Sequence, residues 1–197
     1  MDISPKRLKE LRDITGISVM QCKQALEEAG GDMDKAVIVL KKKRAETADK
    51  KSDRQQGAGT IGAYVHNTNE VAAMVRLACE TDFVAKNEEF VSLARDLAMQ
   101  VVATDPKYVS REEVDETALG KAKEVFKAEV EEEGDKPADL QEKIIAGKLD
   151  SYFKEQILLE QPFIKNPEQT IDDLVTGAVQ KFGENITIAG ISRLSIK

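Results

Sequence analysis

The histidine and the two cysteines are the side chains best suited to chemistry, and their settings do not indicate catalysis. His66 is predicted at the end of a strand, beside a turn, with no local serine or cysteine that it could activate as a general base. Cys22 and Cys79 lie on predicted apolar faces of separate segments, without metal-ligand spacing or a disulfide framework. We therefore expect His66 at the surface and both thiols buried as small apolar groups.

Three glycines, Gly57, Gly59 and Gly62, match the G-x-G-x-x-G spacing of dinucleotide-binding loops. That fingerprint requires a strand before it and a helix after it, whereas here a polar stretch precedes it and a predicted strand follows. The sequence contains no phosphate-loop motif, and its many carboxylates form no recognisable catalytic pair. It therefore predicts a protein that is not an enzyme and that binds neither a cofactor nor a metal ion of its own.

The connection between a predicted strand and the following helix, residues 80–86, has an unusual composition. Such connections are normally polar, but this one places Phe83 and Val84 beside Thr81 and Asp82. Either Phe83 folds back onto the core, or it forms an exposed apolar wedge, with an acid beside it, that fits a partner's crevice. The second alternative would be functional, because aromatic anchors carry much of the binding energy at protein interfaces.

The elements that position these residues begin with three short helices. Their starts and stops are marked by capping residues, a proline and glycines: Ser4, Pro5, Gly16, Ser18, Gln21, Gly30, Gly31 and Asp32. Connections this short predict a compact three-helix module over residues 1–46, a size that is marginal alone and typical of docking modules. Residues 47–59 carry no large apolar side chain and are expected to form a linker.

The rest of the chain, residues 60–197, is predicted to form an α+β core. Apolar and polar residues alternate on both sides of the turn Asn67-Thr68-Asn69, which indicates a β-hairpin that ends at Cys79. An amphipathic helix is expected from Asn87 to about Thr104.

The second half of this core is expected to be mainly helical. Residues 110–160 predict a helical hairpin insertion that starts at a capping box, Ser110 with Glu113, and breaks near Gly134. A helix capped by Thr170 and a last strand, with a bulge at Gly190, then complete a three-stranded antiparallel sheet packed with helices.

The charge balance argues against nucleic acid as a direct partner. The formal net charge is −7, from 29 basic and 36 acidic residues, whereas sequence-independent nucleic-acid binders normally present a basic surface. The run Lys41–Arg44 is the exception, either as a solvated helix end or as a contact with an acidic partner. Without an apolar run of ~20 residues or a secretory signal, we expect a cytoplasmic protein that binds no membrane.

Two long segments resemble signatures of the elongation factor Ts family. Residues 11–26, LRDITGISVMQCKQAL, resemble its first signature, and residues 79–86, CETDFVAK, resemble its second. The region from Gln161-Pro162-Phe163 through a capped helix to a terminal strand is similar to the closing region of the family. Together with the layout, the resemblance covers essentially the whole chain, which at 197 residues resembles the short members with one core repeat.

The resemblance implies both a fold and a function. The fold would be an N-terminal module like ubiquitin-associated (UBA) domains, followed by an α+β core, and short members can form homodimers. The function would be guanine nucleotide exchange on elongation factor Tu during translation elongation. The residues that match the docking positions of the family are Arg12, Val19, Met20 and Lys23. Those that would intrude into the partner and disturb its Mg²⁺ site, so that GDP leaves, are Thr81, Asp82, Phe83 and Val84.

The chain departs from the second signature at two strand positions. Arg76 and Ala78 occupy positions where the family commonly has a glutamate and an asparagine, which places strand or dimer contacts in doubt. The main alternative function is a non-catalytic binding module that uses the UBA-like helices. A nucleic-acid-binding translation protein would rest only on Lys41–Arg44, and an enzyme has no catalytic constellation to support it.

Overall fold

The computed structural model describes residues 3–132 and 137–196, and its three N-terminal helices begin at the predicted start signals. Helix α1 is Pro5–Thr15, α2 is Val19–Glu28 and α3 is Met33–Asp49. Gly16 adopts a φ of 66°, which ends α1, while the Ser18 and Asp32 side chains accept the backbone N–H groups of Gln21 and Lys35. Helix α3 continues to Asp49, three residues into the range 47–59 that was expected to form a linker.

A β-hairpin forms where the alternation predicts it. Strand β1, Ala58–Val65, turns into β2, Val71–Cys79, and the N–H of His66 donates to the carbonyl of Val71 across the turn at 2.9 Å. The last strand of the sheet, β5, is Thr187–Ser195 and lies beside β2, so the strand order is β1-β2-β5. The expected three-stranded antiparallel sheet in a mixed α+β fold is therefore confirmed. The bulge at Gly190 stays a prediction.

Two short helices and one long helix follow the hairpin. Helix α4, Asp82–Ala85, follows β2 directly, and α5, Glu88–Thr104, is capped by the Asn87 side chain. Its predicted apolar side is the buried one: Phe90, Ala94, Leu97, Ala98 and Val101. A short turn of 3-10 helix, Arg111–Glu113, follows α5.

Gly62, the last glycine of the apparent dinucleotide motif, has a packing role. A Cβ atom placed on Gly62 would lie 2.1 Å from both the carbonyl carbon and the carbonyl oxygen of Ala94. The backbone of β1 therefore approaches the backbone of α5 more closely than any side chain allows.

Residues 110–160 are mostly helical, but they do not start at the predicted capping box. Ser110 makes no side-chain capping bond, and the Glu113 carboxylate accepts the N–H of Val109 instead, at 2.7 Å. Helix α6, Glu116–Glu132, begins later and is capped by Asp115, which accepts the N–H of Ala118 at 2.7 Å. Asp115 caps α6 because it directly precedes that helix, whereas Ser110 precedes only the 3-10 turn.

Helix α7, Ala138–Gln156, follows α6, and the rings of Phe126 and Tyr152 meet edge to face with centroids 5.6 Å apart. The break expected near Gly134 lies outside the described residues, and the helical hairpin stays a prediction. Two strands that the sequence did not predict, β3 Pro162–Phe163 and β4 Asn166–Thr170, form a small sheet. They are too short to show a clear period of two.

The described chain gathers into two compact units. Unit 1 comprises Met1–Gly59, Ala78–Ala85 and Asp173–Thr187. Unit 2 comprises Thr60–Leu77, Lys86–Asp172 and Ile188–Lys197. Helix α8, Ile171–Phe182, supplies most of the last stretch of unit 1 and ends at Gly183, whose φ is 75°. The division expected from the sequence, into 1–46, 47–59 and 60–197, stays a prediction.

In the two ranges that the structure covers, every helix is too short or too polar to span a bilayer.

Candidate partner-binding site

Phe83, the residue predicted as a wedge, is exposed. It lies on the four-residue helix α4, and 87% of its surface is accessible, the largest exposed fraction among the large apolar side chains of the described residues. Asp82 beside it is also exposed, whereas Val84 is half-buried. The alternative in which Phe83 folds back onto the core is therefore wrong, because α4 directs the ring into solvent.

Thr81 fixes the start of α4 by its backbone and its side chain. Its carbonyl accepts the N–H of Ala85 at 3.1 Å and also lies 3.2 Å from the Cys79 sulfur. The Glu184 carboxylate accepts three hydrogen bonds here: from the backbone N–H of Glu80 and of Thr81, each at 3.0 Å, and from the Thr81 hydroxyl at 2.5 Å. The segment that carries the wedge is thus bound to the chain just after α8.

A second carboxylate joins the same two segments in the opposite direction. The Glu80 carboxylate accepts the backbone N–H of Asn185 at 2.6 Å and pairs with Arg54 at 3.4 Å. The buried Asn185 amide in turn donates to the carbonyls of Ser52 and Arg54, at 3.0 and 2.9 Å. Residues 184 and 185 therefore join residues 80–81, just before α4, to residues 52–54, which follow α3.

The four predicted docking residues all lie at the surface of the three-helix module. Arg12 and Lys23 are exposed, and Met20 is 68% exposed. Val19 is 45% exposed. Ile17, two residues earlier in the chain, is buried in the core of the module.

A small apolar core supports this surface. It is formed by buried residues from all three helices and the turn between α1 and α2: Leu11, Ile17, Cys22, Ala25, Leu26, Ala36 and Leu40. On α2 the exposed position 23 lies four residues after position 19 and three after position 20, so Lys23 is on the same side of the helix as each of them. The three predicted docking residues of α2 therefore lie on one side of that helix.

The basic run lies in the interior of α3 and not at a helix end. Lys41 pairs with Asp173 of α8 at 3.0 Å, and Lys43 pairs with Glu28 of α2 at 2.6 Å. Arg44 is buried and donates to the carbonyl of Thr15 at 2.5 Å. Three of these four cations therefore have partners within unit 1.

Both cysteines are buried, and the histidine packs against an aromatic ring. Cys22 and Cys79 are buried free cysteines, as expected. Burial raises the pKa of the Cys79 thiol, and the nearby Glu184 carboxylate raises it further, so the thiol stays protonated and weakly reactive. His66 packs edge to face with Tyr64, with ring centroids 6.1 Å apart. Among the residues described, no three His, Cys, Asp or Glu side chains are grouped so that they could hold a metal ion.

Comparison with known proteins assigns a family to this arrangement. The sequence model of the family described as elongation factor TS matches residues 22–196, a range that contains the wedge segment. The chain belongs to the elongation factor Ts family.

Relatives named elongation factor Ts match along nearly their whole length. The protein of Thermodesulfovibrio yellowstonii is 46% identical over 196 residues, which cover 100% of this chain and 97% of that protein. The protein of Carboxydothermus hydrogenoformans is 47% identical over 194 residues, 98% of this chain and 89% of the relative. That of Thermotoga petrophila is 44% identical over 196 residues, 100% of this chain and 97% of the relative.

In this member of the elongation factor Ts family, the eight predicted site residues fall into one compact unit. Unit 1 contains both the three N-terminal helices and the segment Ala78–Ala85. The sequence predicted the docking residues in one domain and residues 81–84 in another, and it gave no indication of Glu184 or Asn185. No local signal could have revealed them, because Glu184 lies 103 residues from Thr81 along the chain.

Proposed function

We propose that this protein is a guanine nucleotide exchange factor for elongation factor Tu in translation elongation, and not an enzyme. The observation that supports this proposal most strongly is Phe83, which is 87% exposed beside Asp82 on a helix joined to the chain after α8. An exposed aromatic side chain on a well-anchored helix is suited to insertion into a partner, because little order is lost on binding.

The proposed mechanism divides the work between two surfaces of unit 1. Arg12, Val19, Met20 and Lys23 dock the three-helix module on the nucleotide-binding domain of elongation factor Tu. Residues 81–84 then intrude beside the Mg²⁺ ion that the partner holds against GDP. Since Mg²⁺ bridges phosphate charge and requires a strict ligand geometry, displacement of its ligands weakens GDP binding.

The proposed cycle follows from linkage. If this protein weakens GDP binding to elongation factor Tu, GDP weakens the binding of this protein by the same factor. Incoming nucleotide can therefore displace the exchange factor and complete the cycle. A release barrier that is lower by ~4 kcal/mol accelerates release by about a thousandfold.

We also propose that two copies associate through the open face of the sheet in unit 2. Gly62 faces α5, so alternation places its neighbours on the other side of β1, where Ile61 is 65% and Val65 is 60% exposed. Met74 is 49% exposed between two buried residues of β2, and Leu194 is 69% exposed. Exposed apolar side chains on such a face are suited to an isologous homodimer, in which the same patch of both copies is buried.

Arg76 lies on the same open face and is compatible with this homodimer. It is exposed next to Met74 in the alternation of β2, and its guanidinium donates to the carbonyl of Ala189 at 2.6 Å. A guanidinium that is already hydrogen-bonded loses less on burial than one that is solvated. The departure from the family signature at this position is therefore expected to modify the dimer contact and to leave exchange intact.

The exchange proposal is tested by release of a fluorescent GDP from elongation factor Tu. The labelled complex is mixed with excess unlabelled GDP, and the signal is followed with and without this protein. Acceleration at substoichiometric amounts supports the proposal. Binding without acceleration would leave the non-catalytic module as the better description. The proposed site of action is the cytoplasm, without direct contact to nucleic acid or membrane and without a cofactor.

A further inference from the structure

The Glu184 carboxylate satisfies three donors where the chain leaves β2 and enters α4. Two are the backbone N–H groups of Glu80 and Thr81, at 3.0 Å, and the third is the Thr81 hydroxyl, at 2.5 Å. A carboxylate acceptor makes such bonds roughly twice as strong as a neutral acceptor would. A single side chain therefore sets the direction in which the wedge helix begins.

Glu184 is itself held in place by its neighbours. Gly183 before it adopts a φ of 75°. Its carbonyl accepts a hydrogen bond from the Lys51 ammonium at 2.5 Å. Asn185 after it donates its backbone N–H to Glu80 at 2.6 Å and its amide to the carbonyl of Ser52 at 3.0 Å. The position of Glu184 is thus fixed by the end of α8 and by the residues after α3, both in unit 1.

We propose that Glu184 is a positioning residue for exchange, which holds the Asp82–Phe83 wedge at a fixed angle to the docking helices. This inference rests on the exchange function proposed above. Glu184 acts through Thr81 and makes no contribution to docking. Its loss therefore lowers the maximal rate of GDP release at saturation and leaves the half-saturating concentration of this protein unchanged.

The test compares the isosteric substitution Glu184→Gln with wild type in the GDP-release assay. A neutral amide keeps one oxygen acceptor but turns an NH₂ group toward donors, so at least one of the three bonds is lost. We expect the maximal rate to fall about tenfold, and the half-saturating concentration to change less than twofold, because a displacement of about 1 Å at a reacting centre has effects of this order or larger. Glu113→Gln is the matched control, since Glu113 also accepts a backbone N–H, at 2.7 Å, but in unit 2.

A double-mutant cycle with Thr81→Val tests whether the two residues act as one unit. If they do, the double variant is less slow than the product of the two single effects predicts, because the shared hydroxyl contact can be lost only once. Independent, multiplicative effects of the two substitutions would overturn the proposal, as would a Glu184→Gln protein with the maximal rate of wild type.

Hydrogen exchange tests the contact without reference to elongation factor Tu. In Glu184→Gln, the amides of Glu80 and Thr81 are expected to exchange faster, while those of α2 keep their wild-type protection. A general loss of stability would instead accelerate both regions, and unchanged exchange at residues 80–81 would overturn the positioning role. If the wild-type protein does not accelerate GDP release, the exchange function fails, and this measurement still decides whether Glu184 holds the wedge.

Discussion

The Thr81 hydroxyl donates to the Glu184 carboxylate at 2.5 Å, although 103 residues separate them in the sequence. This contact places the exposed Phe83 at a defined position in the same compact unit as the three N-terminal helices. The proposed docking surface and the proposed wedge are thereby parts of one structural unit. Substitutions in the two surfaces should therefore have separable effects, on the maximal rate of GDP release and on the concentration of this protein that gives half-maximal release.

Phe83→Ala is expected to abolish most of the exchange activity and leave the fold intact. Removal of an aromatic anchor costs ~2–4 kcal/mol at an interface, which corresponds to a rate of release that is about 30-fold to 1000-fold lower. The ring is 87% exposed, so the stability of the protein itself should barely change. Release of fluorescent GDP and thermal unfolding measure the two effects, and Phe83→Leu, which keeps an apolar side chain, should lose less. A folded Phe83→Ala protein with full activity would contradict the wedge.

Met20→Asp is expected to weaken docking without a change in the maximal rate. The side chain is 68% exposed on the proposed docking face, and a buried unpaired charge at an interface is costly. The concentration of this protein that gives half-maximal release should rise at least tenfold. Ile38→Asp is the matched control, because Ile38 is 64% exposed on α3 but lies outside the docking set. Equal effects of both substitutions would show that position 20 has no special role.

Ile61→Glu is expected to convert the homodimer into a monomer. Ile61 is 65% exposed on the open face of the sheet, where in an isologous dimer each substitution places a charge in the interface twice. Sedimentation velocity of the wild type and the variant measures the change. Val125→Glu, at a position 56% exposed on α6, should leave the association state as it is. A wild-type protein that sediments as a monomer would remove the dimer proposal altogether.

Gly62→Ala is expected to destabilise the protein by about 3 kcal/mol, because the added methyl group overlaps the backbone of α5 and forces strand and helix apart. The nearest atoms, the carbonyl carbon and oxygen of Ala94, would lie 2.1 Å from the new Cβ. Urea unfolding followed by circular dichroism gives the free energy of unfolding. Gly120→Ala on α6 is the control: its new Cβ would have no neighbour within 4 Å, so it should stabilise the helix by about 0.5–1 kcal/mol. Similar effects at both positions would contradict the packing role of Gly62.

The boundaries of the N-terminal helices were predictable because the signals are local. Ser18 and Asp32 each cap a backbone N–H three residues ahead, and Gly16 ends α1 in the left-handed conformation that glycine adopts most easily. The capping box at Ser110 and Glu113 failed for the same local reason, since Asp115 offered a second cap nearer to the helix. The hairpin of β1 and β2 followed from alternation and a turn.

The sequence by itself determined the helix caps, the hairpin, the α+β class and the resemblance to the elongation factor Ts family, because residues close along the chain carry these signals. Only the tertiary structure decided that Phe83 points into solvent and that Val19 is exposed while Ile17 is buried. It alone also brought Glu184 to Thr81. Exposure and long-range hydrogen bonds depend on how distant segments pack against each other, and periodicity along a single segment contains no information about that packing.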